Sequence, residues 1–166
     1  MSSSPRLSLP YILTNQAQKE VTHNDALNNL DVWVQPVAQS ADLVAPPGSP
    51  AEGAVWLVAA GATDAWAGKA GMLAQWIGGV WQFHAPIDGA VIRIADQGLT
   101  ARYEAGAGWI IGDVTAARVL IDGQAVLGAR QPAIADPSGG TVIDIEARDA
   151  IVAILDSLRQ HGLIGS

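Results

Sequence analysis

The alternation of apolar and polar positions changes period twice along the chain. From residue 26 to 37 the apolar residues Ala26, Leu27, Leu30, Trp33, Val34 and Val37 recur at helical spacing, with Asn24, Asp25, Asn28, Asn29 and Asp31 on the other face. This is the pattern of an amphipathic helix that buries its apolar stripe. Thr22-His23-Asn24-Asp25 has the form of a capping box and predicts the helix start. Pro36, which lacks an amide proton and clashes with the preceding turn, predicts its end near Val34. A connector rich in proline and glycine follows, "LVAPPGSPAEG" from Leu43 to Gly53.

Beyond the connector the period becomes two. Ala54–Ala59, Gly71–Trp76, Val80–Ala85, Ala90–Ala95, Thr100–Glu104 and Trp109–Gly112 read as short strands separated by turn residues, the signature of an antiparallel meander. A faint echo runs through it, because Trp76 and Trp81 flank a glycine turn much as Tyr103 and Trp109 do. Arg118–Gly128 adds a hairpin turning on Asp122-Gly123, a dipeptide suited to a two-residue type I′ turn. After a second linker, Arg130–Gly140, Asp144 is placed to cap a helix over residues 145–161 that Gly162 ends. Ala147, Ile151, Ile154, Leu158 and His161 are spaced four, three, four and three, a seam of about two heptads. Such a seam suits an oligomeric bundle, and equally a helix folded back on its own domain.

The elements predict an α+β protein with an N-terminal helix, a Trp-rich antiparallel β meander and a C-terminal helix. Its segments are an N-terminal docking region (1–45), a β domain (46–128), and a linker with the last helix (129–166).

Register decides how the tryptophans are read. If Gly78-Gly79 is a two-residue turn, Trp76 faces Trp81, Ala74 faces Phe83 and Gln75 faces Gln82. Trp76, Trp81, Ala74, Phe83, Met72 and Ala85 then share one wholly apolar side. A sheet buries its more apolar face, so both rings are expected in the core. Trp66 stands alone in "GATDAWAGKAG", a loop of small and polar residues. It is the candidate for an exposed aromatic that stacks on a sugar ring, with Trp109 or Trp56 in support. The competing reading is that it folds back to plug the end of the sheet.

Composition narrows the function classes. Sixteen acidic and nine basic residues give a net charge of -7 with no Lys/Arg cluster, which argues against a nucleic-acid partner. Without cysteine there is no disulfide or thiolate chemistry. "MSSSPRLSLPYIL" lacks the apolar core of a signal peptide, and no apolar run nears the ~20 residues that span a bilayer. Cytoplasmic synthesis without membrane insertion is therefore expected. His23, His84 and His161 fall on three separate predicted elements without metal-ligand spacing, and no nucleophile elbow or phosphate loop occurs. Asp144, Glu146 and Asp149 suit the first turn of a helix, where they oppose its dipole. The expectation is a protein that is not an enzyme and uses no cofactor or metal.

The stretches "RLSLPYILTNQAQKEVTHNDALNNLDVWVQ" (6–35) and "APPGSPAEGAVWLVAAGATDAWAGKAGMLAQWIGGVWQFHAPIDG" (45–89) resemble DUF2793-type domains of structural proteins in tailed phages, prophages and gene transfer agents. "GARQPAIADPSGGTVIDIEARDAIVAILDSLRQHGLI" (128–164) is similar to the piece that often closes such proteins. The resemblance implies a virion component, a tail fibre or a head spike or fibre, that docks to other virion proteins and aids adsorption to the host surface. It also implies a homo-oligomer, commonly a trimer, which would give Ala147, Ile151, Ile154 and Leu158 their partners. The alternative is a carbohydrate-binding module for capsular or envelope polysaccharide.

Overall fold

The computed structural model describes residues 3–12 and 19–165. The chain divides into two compact units, 1–113 and 114–166. The α+β expectation holds: among the described residues helix α1 (Lys19–Trp33) precedes nine strands, and helix α2 (Ile145–Gln160) follows them. Both the N-terminal helix and the first seven strands belong to the first unit, and the hairpin over residues 119–127 belongs with the C-terminal helix.

In the first unit the strands form two sheets rather than one meander. Strands β2 (Val55–Leu57), β3 (Leu73–Ile77) and β4 (Val80–His84) make one antiparallel sheet. Strands β5 (Val91–Ile94), β6 (Leu99–Glu104) and β7 (Gly108–Ile111) make a second, which β1 (Val37–Ala38) joins in parallel to β5. The chain breaks at Pro86, which cannot donate to a ladder. Strand β1 lies between the sheets: the Gln39 amide donates to Val55 O (2.7 Å) and the Leu57 amide to Ser40 O (3.0 Å). Their facing sides enclose a core of Val55, Leu57, Leu73, Ile92, Ile94 and Ala101, against which α1 places Val32.

The Trp hairpin has the expected register: Trp76 pairs with Trp81, Ala74 with Phe83, Gln75 with Gln82, and Leu73 with His84. Gly78 and Gly79 take φ of 59° and 81°, as a type I′ turn requires. The Gly78 amide donates to the Glu52 carboxylate at 2.7 Å, fixing the turn.

Helix α1 departs from expectation in two ways. It begins three residues before Thr22, at Lys19, so the presumed capping box lies inside it. It is also rotated: Asn28, Asp31 and Val32 are buried, whereas Leu30 and Val34 are exposed. The cause is the N-terminal segment, which lies along the polar face. Asp31 accepts from the Ser4 hydroxyl (2.7 Å) and from the amides of Arg6 (3.1 Å) and Leu7 (2.6 Å). Asn24 exchanges hydrogen bonds with the backbone of Ile12, and the Tyr11 hydroxyl donates to Asn28. Arg6 donates to the carbonyls of Asp31, Val32 and Gln35, capping the end of the helix. Charge-assisted bonds of this kind contribute about 1.5–3 kcal/mol each, enough to outweigh a weak apolar stripe. Gly53 admits the strap: a Cβ there would lie 2.4 Å from Pro5 Cβ.

In the second unit, β8 (Val119–Ile121) and β9 (Gln124–Leu127) pair across Asp122 and Gly123, both at positive φ, as the Asp-Gly reading predicts. Helix α2 starts at the expected cap, the Asp144 carboxylate accepting from the Ala147 amide at 2.9 Å. It ends in a Schellman motif, with Leu163 N bonded to Leu158 O and Gly162 N to Arg159 O, and Gly162 at φ 69°. Arg159 ties the helix to the linker through Ile134 O and the Asp136 carboxylate. The bond to Asp136, and a second to the Asp156 carboxylate, raise the guanidinium's pKa.

Candidate functional site

Three features of the two units could carry function: the tryptophan cluster, the layer beneath α1, and the surface of the second unit.

The cluster forms on the outer face of the β2–β3–β4 sheet. Trp81 sits at its centre, with ring centroids 5.0 Å from Trp76, 5.1 Å from Trp66 and 5.5 Å from Trp56. The contacts to Trp56 and Trp66 are edge-on, the arrangement that aromatic quadrupoles favour. Trp76, Trp81 and Phe83 are partly buried against this cluster, in accord with the register argument. Of the two readings of Trp66 the inward one holds, because the ring is 0% exposed. Residues 64–66 form a 3-10 turn entered through Asp64 at φ 52°, and the Thr63 amide donates to Val44 O at 2.7 Å. The loop is thus drawn inward, and Trp66 caps a sheet face that would otherwise be wet. Trp56 is buried too. Trp109 is half-buried beside Tyr103 (5.3 Å), and its indole N–H donates to Gly71 O at 2.8 Å. The three candidate sugar-stacking residues are therefore not brought to one surface.

The opposite face of the hairpin looks toward α1, and the layer between them is polar. The His84 ring donates from Nδ1 to Asn29 Oδ1 at 2.7 Å, leaving a buried Nε2 that has no partner among the described residues. Burial lowers the His84 pKa. Gln75 is fully buried, and neither of its amide atoms has a hydrogen-bond partner among the described residues. Such orphaned groups cost about 1–3 kcal/mol each. At the hairpin tip this layer opens into a groove of about 380 Å3, lined by Tyr11, Asn24, Asn28, Ile77, Val80 and Gln82 among others. The Tyr11 pKa is raised, first by burial and then by the charges of Asp31 and Glu52. Nothing in the sequence pattern marked this groove, because α1 was read with its amide face in solvent.

The second unit buries very little of its apolar surface. Val119, Leu120, Ile121, Val126 and Leu127 of the hairpin are all exposed. On α2 the side turned to the linker carries Arg148, Val152, Leu155 and Arg159, of which Leu155 is buried. The seam of Ala147, Ile151, Ile154 and Leu158 lies roughly a quarter turn away, with Ile151 45% and Ile154 59% exposed. Among the described residues no group of three or more His, Asp or Glu gathers to hold a metal ion. Nor is any helix long and apolar enough to cross a membrane.

Residues 23–110, more than half of the chain, match the profile of a family described as "Protein of unknown function (DUF2793)". The chain belongs to the DUF2793 family. The DUF2793 match runs from within α1 to β7 and so falls within the first unit, leaving the second outside it. No curated protein matches the chain.

Proposed function

We propose that this DUF2793 protein is a non-enzymatic virion structural protein, a fibre or spike component of a phage or gene transfer agent. Its second unit assembles copies of the chain, and its first unit docks to the particle or faces the host surface. The supporting observation is the apolar surface of the second unit. A hairpin with Val119, Leu120 and Ile121 all exposed has no inner face of its own. Full burial of such a side chain contributes about 1.5–3 kcal/mol, of which these three, at 40–59% exposure, forgo a part. A unit of this size is marginal even when well packed. Further copies of the chain supply the missing cover.

The seam narrows the number of copies. With Ile151 and Leu158 at a positions and Ile154 at d, its branching is of the kind that favours three or four strands over two. We take three, in keeping with the resemblance to fibre proteins. That likeness, carried by residues 6–35, 45–89 and 128–164, is the ground for the virion assignment. A sugar module built on Trp66 finds no support, since that ring is enclosed.

The assignment is tested on particles purified from the medium of producing cells. Mass spectrometry should find the chain in stoichiometric amount with the other structural proteins. Its absence from particles while it is abundant in the same cells would overturn the reading.

A further inference from the structure

We infer that the groove between α1 and the tip of the β3–β4 hairpin is a binding site for a neutral, polyhydroxylated ligand, a saccharide. The site lies wholly within the first unit and stands whether or not the second unit assembles copies.

The lining carries the argument. Tyr11, Asn24, Asn28 and Gln82 offer a hydroxyl and three amides, while Ile77 and Val80 add an apolar patch, with Val80 58% exposed. Among the described residues no charged side chain lines the groove, which disfavours phosphates and carboxylates as ligands. An amide donates and accepts at once, as does a sugar hydroxyl, and ring C–H faces pack on small apolar side chains. Its volume of about 380 Å3 falls at the lower end of the range for small-molecule pockets, about 300–1,000 Å3.

The polar lining of the groove is also held in place by its own hydrogen bonds. Asn24 and the Asn28 carbonyl are already engaged with Ile12 and Tyr11, so these side chains are held in place. Gln82 points to the same hairpin face as Gln75, directly across the strand pair, where opposed side chains come within reach of each other. Gln75 is enclosed with both amide atoms unpaired. A ligand hydroxyl on the groove side pairs with the amide of Gln82, the lining residue that stands opposite Gln75. A peptide would be read mainly through backbone bonds along a strand edge, and these amides project from the sheet face instead.

Saturation-transfer NMR on the full chain tests the site with a panel of glucose, galactose, mannose, N-acetylglucosamine and their β-linked disaccharides, at up to about 50 mM to reach millimolar affinities. Transfer is expected to at least one sugar, and to fall at least about fivefold in both Gln82→Leu and Val80→Asp, each compared at equal thermal midpoint or with the other where one unfolds. Trp66→Phe should leave it unchanged. No transfer to any sugar overturns the proposal, and so does transfer that both groove variants leave intact. Transfer to an unrelated pentapeptide of similar strength identifies a peptide groove and likewise overturns it. Loss of particle association in the same preparations would bear on the virion assignment and not on the groove.

Discussion

The ring of Trp66 meets that of Trp81 edge-on, at 83° and 5.1 Å, so a residue from the 59–72 loop seals the outer face of the hairpin. Trp66→Ala should then cost about 3–5 kcal/mol, the range for emptying a buried aromatic site. Trp66→Phe should cost clearly less. Urea denaturation followed by circular dichroism checks this, and a loss under 1 kcal/mol for the alanine variant would show the ring to be peripheral.

Asp31 organises the strap through three accepted hydrogen bonds. Its replacement by alanine strands the Ser4 hydroxyl and two amides, so a loss of at least about 2 kcal/mol is expected. Hydrogen exchange should show faster exchange at the Arg6 and Leu7 amides in Asp31→Ala, with the strands of the β6–β7 hairpin unchanged. Equal protection in both proteins would mean that the strap is held by other contacts.

These two sites show what the sequence could and could not disclose. The Trp76–Trp81 register, both two-residue turns and the Asp144 cap were legible because each depends on residues within a few positions of one another. The inward turn of α1 was not. It depends on Ser4 and Arg6, more than twenty residues away, offering partners that make a polar face worth burying. Trp66 was left between an exposed and a plugging role for a similar reason: its loop composition is polar, but the cavity it fills is made by Trp56, Trp81 and Ala74 from other strands. The groove was hidden by the same rotation of α1. In the string "NQAQKEVTHNDAL", positions 15–18 lie outside the described residues, and Asn24 is the residue whose role is now clear, as an anchor for Ile12.

Gln75→Met keeps the length of the side chain and removes two unpaired buried atoms. Stability should rise by about 1–3 kcal/mol in the absence of ligand. A fall of more than 1 kcal/mol in chemical denaturation would mean that the amide is satisfied in solution.

The pH dependence has a defined sign. Burial lowers the folded-state pKa of His84 below its ordinary value of 6.5, so between these two values the unfolded chain binds a proton that the folded chain does not. Stability is therefore full above about pH 6.5 and declines as pH falls below it. Protonation also places a charge at buried Nε2, in the layer beneath α1. The thermal midpoint should drop between pH 7 and 5, and His84→Gln should remove most of that drop. An unchanged pH profile in the variant would assign the effect to other groups.

Assembly through the second unit is the claim on which the account rests. Sedimentation equilibrium of the full chain at micromolar concentration should give three times the monomer mass of 17.2 kDa. Ile151→Asp combined with Ile154→Asp should return the chain to monomer, with the first unit still folded by its tryptophan fluorescence. A stable monomer for the unaltered chain, or a mass that the double substitution leaves unchanged, would contradict the account.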